Sequence, residues 1–524
     1  MRRNQASDLT AIAASAELVR TSANEVFGRI DVDGHCETLS LRSSSFRHWL
    51  TRRFYQQVRA VPSRAALEEA IATLEAEARF GGREAEVSLR VVADADGIWI
   101  DLANASWSAV RVTPQGWSVD ESPNVLFRRG SSARALPTPL RGGSIDDLRN
   151  FLGRMDDASW KLLLTWMLSA FRPDVPYPIL VLHGEQGSAK STTARVIKQL
   201  VDPSAAPLRQ MPREPRELFI AAHNNWCLAY DNLSGLPPWV ADALCQLSTG
   251  GGFASRRLYS DDEEVVLDVQ RPIVLNGIDE LTGRGDLLER ALPIELKRMS
   301  GDARRSEREF WRAFGQQAPY LMACLMEVLV GVLRVHPTIA PAELPRMADF
   351  GEWGLATEHA LHWAPGSFVA AYRASQHDSQ QIALESSSVV NPLRQLIRHG
   401  PYKGTATELI EALAGLAGGI AEHRNWPKSA AALSKELRRI QPQLRAEGIE
   451  VTFDRDDTPE RRRVIEIVHS PVQAVHLAPP GPKLDGTGQR VDSPAGRQPE
   501  NRQAATVGLL DGLDSDHSFW RGEI

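Results

Sequence analysis

Residues 183–192, His-Gly-Glu-Gln-Gly-Ser-Ala-Lys-Ser-Thr, place two glycines, a lysine and two consecutive hydroxyls between an apolar run and a helix-forming segment. Such a stretch can enclose a polyphosphate. Backbone N–H groups of a tight loop and of the first helical turn converge on an anion, and the helix dipole strengthens their pull. Lys190 would neutralise the β- and γ-phosphates of ATP and the Ser191 hydroxyl would bind Mg²⁺. Gly184, Glu185, Gln186, Gly187, Ser188, Ala189 and Thr192 would complete the cradle. The pattern for this chemistry is G-x-x-x-x-G-K-[ST], and Ala189 stands where the second glycine belongs. If that position needs a positive φ, alanine costs about 1 kcal/mol there.

A second apolar run ends in an acid, Trp226-Cys-Leu-Ala-Tyr-Asp231-Asn232. An aspartate at the carboxyl end of a strand is placed to hold the Mg²⁺ shell; a helix or turn cap is the plainer alternative. Asn232 follows where a glutamate base would serve hydrolysis, and an amide can orient water but cannot take its proton. Glu185, Glu263 and Glu264 are the carboxylates open to that role. A third run, Ile273-Val-Leu-Asn276, ends in an amide that could contact the γ-phosphate or the attacking water, although an asparagine closing a strand is often just a turn residue. Further on, Arg290, and after it Arg284, could stabilise phosphoryl charge in a neighbouring subunit, with a surface ion pair as the alternative.

These residues need a scaffold. Ile179–Leu182 is a continuous apolar run of the kind found in parallel strands covered on both faces, and similar runs alternate with helical segments, so residues 145–300 read as an α/β core. Residues 301–385 read as its helical extension, and 1–144 as an N-terminal α+β domain. That domain has short strands from Val26 to Phe127, one helix carrying Leu67, Ile71 and Leu74, and an exit linker at 131–144. The unit 386–470 follows, and 471–524, rich in Pro, Gly, Ser and Asp, is expected to be disordered. At 524 residues several domains are required.

A formal charge of −6 excludes a protein that coats polyanions with its whole surface, so nucleic-acid contact needs local basic patches. Four scattered cysteines without a CxxC pair argue against a disulfide or zinc framework and for a reducing cytoplasm. The most apolar stretch, Leu321 to Val335, is read as a buried helix, since it falls short of the ~20 residues needed to span a bilayer. No membrane partner is expected.

The ordered set of Gly184–Thr192, Asp231-Asn232, Thr249-Gly-Gly-Gly-Phe253 with Arg256-Arg257-Leu-Tyr259, and Asn276 resembles superfamily 3 helicases, in particular the ATPase part of poxvirus-type primase–helicases of phages and mobile elements. The resemblance covers roughly 145–380 and includes Leu344-Pro-Arg-Met-Ala-Asp-Phe350. It implies a P-loop, AAA+-like sheet, ATP and Mg²⁺ as cofactors, and a homo-oligomeric ring, a hexamer by the family pattern, around single- or double-stranded DNA. Arg256 and Arg257 would then face DNA phosphates, with Phe253 or Tyr259 for packing or stacking; balancing the acids at 261–264 is the other use for the two arginines.

Relatives often carry a primase domain, and Asp31-Val-Asp33-Gly-His35 offers metal-ligand types, but a turn at Asp33-Gly34 accounts for it better. Near the other end, Thr405 or Thr407 can cap a helix. Leu433, Leu437, Ile440 and Leu444 share one helical face, while Lys435, Arg438 and Arg439 project from the opposite one; Pro442 is expected to kink or shorten that helix. Two strands follow, joined by a turn carrying Arg455, Arg461 and Arg462, which suggests a winged-helix-like domain on DNA or on a protein. The sequence therefore reads as a ring-forming DNA helicase or translocase in replication of a phage or mobile element. The other reading is a regulatory protein that assembles with nucleotide without unwinding DNA.

Overall fold

Ile179–His183 is the central strand of a four-stranded parallel sheet in the order Leu228–Tyr230, Ile273–Asn276, Ile179–His183, Ala291–Glu295. Its unbroken apolar sequence is explained by what covers it. Leu180 and Leu182, with Val274, Leu292 and Ile294, enter one core beneath helices Asp157–Ser169, Lys190–Val201 and Glu307–Val335. Ile179 and Val181, with Leu228, Ile273 and Leu275, enter another beneath helices Pro215–Asn224 and Pro238–Thr249. Side chains of successive strand residues point to opposite faces, so a sheet sandwiched between helices needs apolar residues at every position.

The structure, a computed structural model, describes residues 4–173, 175–233, 236–256, 264–277, 285–298, 306–340, 345–385, 387–422, 426–456 and 461–469. The chain is a mixed α/β, multidomain protein. Arg257, Tyr259, Glu263 and Arg284, Leu344 of the motif cited above, and the tail beyond 469 lie outside the described residues.

The N-terminal region has three helices where the sequence pattern suggested one: Gln5–Ala13, Ser44–Val58 and Arg64–Gly81, packed on the sheet formed by Glu17–Arg20, Val26–Val32, His35–Ser40 and Arg83–Glu84. The middle helix starts at Ser43, whose side chain accepts the Phe46 N–H, and buries Phe46, Trp49, Leu50 and Phe54 on one face. Asp33 and Gly34, both at positive φ, form the expected turn between two of the strands.

A second antiparallel sheet, Val91–Ala93, Ile98–Asp101, Ala109–Thr113 and Gly116–Asp120, contributes Val91, Ile100, Val110 and Val112 to the same core as the parallel sheet. The segment 131–144, expected as a linker, is packed in place. Leu136 is buried and donates its N–H to Leu102 O, and Leu140 donates to Pro319 O. The apolar helix runs further than its sequence core suggested, over Glu307–Val335. By length and hydropathy it could cross a membrane, but its apolar face, including Leu321, Met322, Leu325 and Leu329, is in the protein core.

A buried ionic cluster fastens the antiparallel sheet to the helix Lys190–Val201. Asp202, at the C-terminus of that helix, accepts from Arg90 Nε at 3.0 Å, Lys198 Nζ at 2.7 Å and Cys227 N–H at 3.0 Å. Arg90 also donates to the carbonyls of Asp101, Arg134 and Pro203. Burial opposes ionisation of Asp202, but Lys198, Arg90 and the Cys227 amide together outweigh it and hold its pKa at about 2, against an ordinary value of 3.8. Removing one partner from such a group leaves a buried charge uncompensated. Asp202→Asn is expected to cost about 3–5 kcal/mol in chemical denaturation at neutral pH. Because the folded-state pKa is depressed, the stabilisation is complete above 3.8 and is lost as the pH falls towards about 2. The variant's stability should therefore depend less steeply on pH across that window.

Candidate functional site

The two inner strands and the edge strand Leu228–Tyr230 end together because their register aligns them: Leu182 pairs with Asn276 and Tyr230 with Leu275. The loop 184–189, Asp231 and Asn276 therefore meet at one edge of the sheet, the carboxyl edge, where open parallel sheets hold ligands.

The loop depends on positive φ at three positions: Gly184 at 139°, Gly187 at 85° and Ala189 at 63°. At Gly184 any Cβ would lie 2.2 Å from Leu296 O, so only glycine fits. Ala189 adopts the left-handed conformation as the N-cap of Lys190–Val201, so its departure from glycine carries real strain. Ser188 donates its N–H to Glu185 O, and its hydroxyl is buried without a partner among the described residues. Thr193 Oγ1 accepts the Gly153 N–H at 2.8 Å, which holds the segment before helix Asp157–Ser169 against the loop. Lys190 Nζ donates to the carbonyls of Gly184 at 2.5 Å and Glu185 at 3.1 Å, so the ammonium is folded over the loop itself. Glu185, Gln186, Gly187 and Ser191 are exposed; Thr192 is half-buried.

Ser191, Asp231 and Asn276 form a triangle. The Ser191 hydroxyl donates to Asp231 Oδ1 at 3.3 Å, and Asn276 Nδ2 donates to Ser191 Oγ at 3.1 Å and to Asp231 Oδ1 at 2.5 Å. Asn276 is buried, and its Oδ1 has no partner among the described residues. Asp231 Oδ1 also accepts the Asn232 N–H at 2.8 Å. Asn232 lies at φ 57°, a conformation that asparagine tolerates far better than glutamate. Gly277 packs against this turn, where a Cβ would crowd Asn232 Cα at 3.2 Å. Backbone geometry thus accounts for an amide at 232. Ser191 and Asp231 are hard oxygen donors suited to Mg²⁺, and no cluster of three or more acidic, His or Cys ligands exists among the described residues. Any such ion would draw its remaining ligands from phosphate and water.

Arg290 is not part of this cluster. Its carbonyl accepts the Ile179 N–H and its guanidinium donates to Asp286 O. Ile179 begins the strand that ends at the loop, which puts Arg290 at the opposite edge of the sheet, roughly 13 Å away at about 3.3 Å per residue. Arg256 ends the strand Gly252–Arg256, paired antiparallel with Glu264–Asp268, and Phe253 lies within it. In the C-terminal region, helix Ala430–Ala446 runs through Pro442, and Lys435 and Arg438 are exposed on it. Arg439 differs: it is half-buried and paired with Glu436, one turn earlier on the same helix, which also accepts from the Ser387 hydroxyl. Its charge is paired locally, whereas no ion pair of Lys435 or Arg438 exists among the described residues.

Two family models match the chain in order. Residues 145–381 match the actinomycete integrative conjugative element replication protein, and residues 389–479 match the C-terminal domain of that RepA. Both point to a replication protein of a mobile element. No curated protein matches the chain. Among solved structures, the A-form apo structure of the NrS-1 C terminal region is 10% identical, covers 88% of this chain and 98% of its own, and has a TM-score of 0.39. A second apo structure of the same region is 10% identical, covers 90% and 100%, and has a TM-score of 0.36. Likeness at this level says nothing of activity.

The first replication-protein match spans the loop and all three strand ends, and the second spans the helix and hairpin around Lys435 and Arg438. Thr193, Gly153 and Leu296 support the loop but carried no sequence signal, because their contacts, through the Thr193 hydroxyl, the Gly153 N–H and the Leu296 carbonyl, are made only on folding. Ala189→Gly is expected to stabilise the protein by about 0.5–1 kcal/mol. Gly184→Ala should cost at least about 2 kcal/mol, from a clash with Leu296 O and a disallowed φ. Thermal denaturation of the two variants measures both effects.

Proposed function

We propose that this chain is an ATP-hydrolysing, ring-forming motor that acts on DNA during replication of a mobile element. The observation that carries the reading is the Ser191–Asp231–Asn276 triangle beside Lys190, at the shared ends of three parallel strands. Phosphoryl transfer needs positioning and charge stabilisation more than covalent help from the protein. The loop amides and Lys190 would hold the phosphates, once the ammonium leaves the carbonyls of Gly184 and Glu185. Ser191 and Asp231 would hold Mg²⁺, which would supply positive charge to offset the charge of the phosphates. Asn276, fixed by two hydrogen bonds from Nδ2, would contact the γ-phosphate or the attacking water once its buried, unpartnered Oδ1 is uncovered. Arg290, remote from its own loop, is suited to serve a neighbour's site in a ring; Arg284 is the second candidate for that role from sequence alone.

A second reading is favoured by one residue. Asn232 cannot accept a proton, so slow hydrolysis would suit a switch that assembles with ATP without unwinding DNA. Steady-state ATP turnover with and without single-stranded DNA, followed by strand displacement on a forked duplex, separates the two. DNA-stimulated turnover with unwinding is expected; nucleotide-dependent assembly without either outcome favours the switch.

Lys190→Ala should reduce turnover to background, and full turnover in that variant would refute the nucleotide assignment. Arg290→Ala should be comparably inactive alone. Mixed with Lys190→Ala subunits, it should regain part of the activity, since each variant supplies what the other lacks. Absence of any recovery in mixed assemblies would argue against action in trans.

A further inference from the structure

The C-terminal region runs helix Val390–Arg398, strand Tyr402–Gly404, helix Ala406–Ala417, helix Ala430–Ala446 and the hairpin Ile449–Arg455/Arg463–His469, with the short strand completing a three-stranded sheet. Its net charge is close to zero, and what matters is where the charges go. Arg394 pairs with Glu447, Lys403 with Glu466, Arg439 with Glu436 and Arg445 with Glu450. Lys435, Arg438, Arg455, Arg461 and Arg463 are exposed and form no ion pair among the described residues. All five line one open groove of about 1320 Å³ between the helix and the hairpin, which also contains Asp454 and Asp456. The N-terminal residues Ala430 and Ala431 of the 17-residue helix border the same groove and add the positive end of its dipole.

From this segregation of charge we propose that the groove is a duplex-DNA site in which the hairpin arginines, Arg455, Arg461 and Arg463, grip the phosphate backbone alongside Lys435 and Arg438. Neutralised cations hold the region together, while the free ones are kept on a single face where an extended polyanion can meet them all. Among the described lining residues, five cations stand against two carboxylates. Duplex is favoured over single strand by the aromatic content. Single-strand sites present open ring faces on which bases stack. Among the described residues, Phe453 is the aromatic one that lines this groove, and the Arg438 guanidinium lies over its ring, 4.5 Å from the centroid. The groove therefore offers charge to a backbone rather than a stacking platform to bases.

The site is separate from the nucleotide loop, so its test needs no ATP and does not depend on whether ATP is hydrolysed. In the full-length chain, binding of a fluorescein-labelled 20-base-pair duplex is followed by anisotropy across a salt series. Arg455→Ala/Arg461→Ala/Arg463→Ala is expected to weaken binding at least tenfold at moderate salt. The slope of log K against log salt should become shallower by about 2–3, at about 0.9 per lost phosphate contact. Arg445→Ala, whose partner is Glu450 and which lies off the groove, should leave both unchanged. If the triple variant loses its fold by circular dichroism, Lys435→Gln alone should still flatten the slope by about 1. Unchanged affinity and slope in folded variants would overturn the proposal. So would a single strand of equal length that binds as tightly as the duplex through the same arginines.

Discussion

Parallel pairing across the sheet is the constraint on which the candidate site rests. Leu182 opposite Asn276 and Leu275 opposite Tyr230 bring three strand ends into line, and the lone aspartate, the buried amide and the loop serine then fall within hydrogen-bonding distance of one another. A slip of one residue would turn each strand's side chains to the other face. It would also exchange the residues of Ile179–Leu182 between the two cores that now receive them alternately. Packing on both faces of the sheet thus specifies the register, and the register builds the site.

Two left-handed residues sit inside this arrangement, and they depart from the expected pattern for different reasons. Ala189 takes a conformation that glycine would adopt freely, so the loop carries strain next to Lys190. Asn232 takes one that asparagine tolerates and glutamate resists, wedged against Gly277. The first departure costs stability while preserving the shape. The second exchanges a proton acceptor for a residue that fits the turn.

Charge is handled oppositely in two parts of the chain. Around Asp202, two cations and a carboxylate are desolvated together and saturated with carbonyl and amide partners, tying the antiparallel sheet to the C-terminus of the loop helix. In the C-terminal region, pairing consumes some cations and leaves others exposed along one groove. Buried ions fix geometry, and exposed unpaired ones are available to a partner.

Local pattern was enough to read several features. Strand–loop–helix order around Gly184–Thr192, the acid and amide closing apolar runs, the Thr405 cap and the turn at Asp33–Gly34 depend on neighbours in sequence, so residue types at short spacing reveal them. The helix Ser44–Val58 was equally local but lay in a stretch of strand-like runs, and its Phe46, Trp49, Leu50, Phe54 face went unread. Other features had no local signature. That 131–144 is packed rather than free, that Arg439 is consumed by Glu436, that Arg290 lies at the sheet edge away from its own loop, and that Leu296 O forbids a side chain at 184 all follow from contacts between segments distant in sequence or in space. By itself the sequence determined which residues could do chemistry, because that depends on side-chain type and on backbone propensity over a few residues. Only the tertiary structure decided which of them meet and which charges remain unpaired, because those outcomes depend on long-range register and packing.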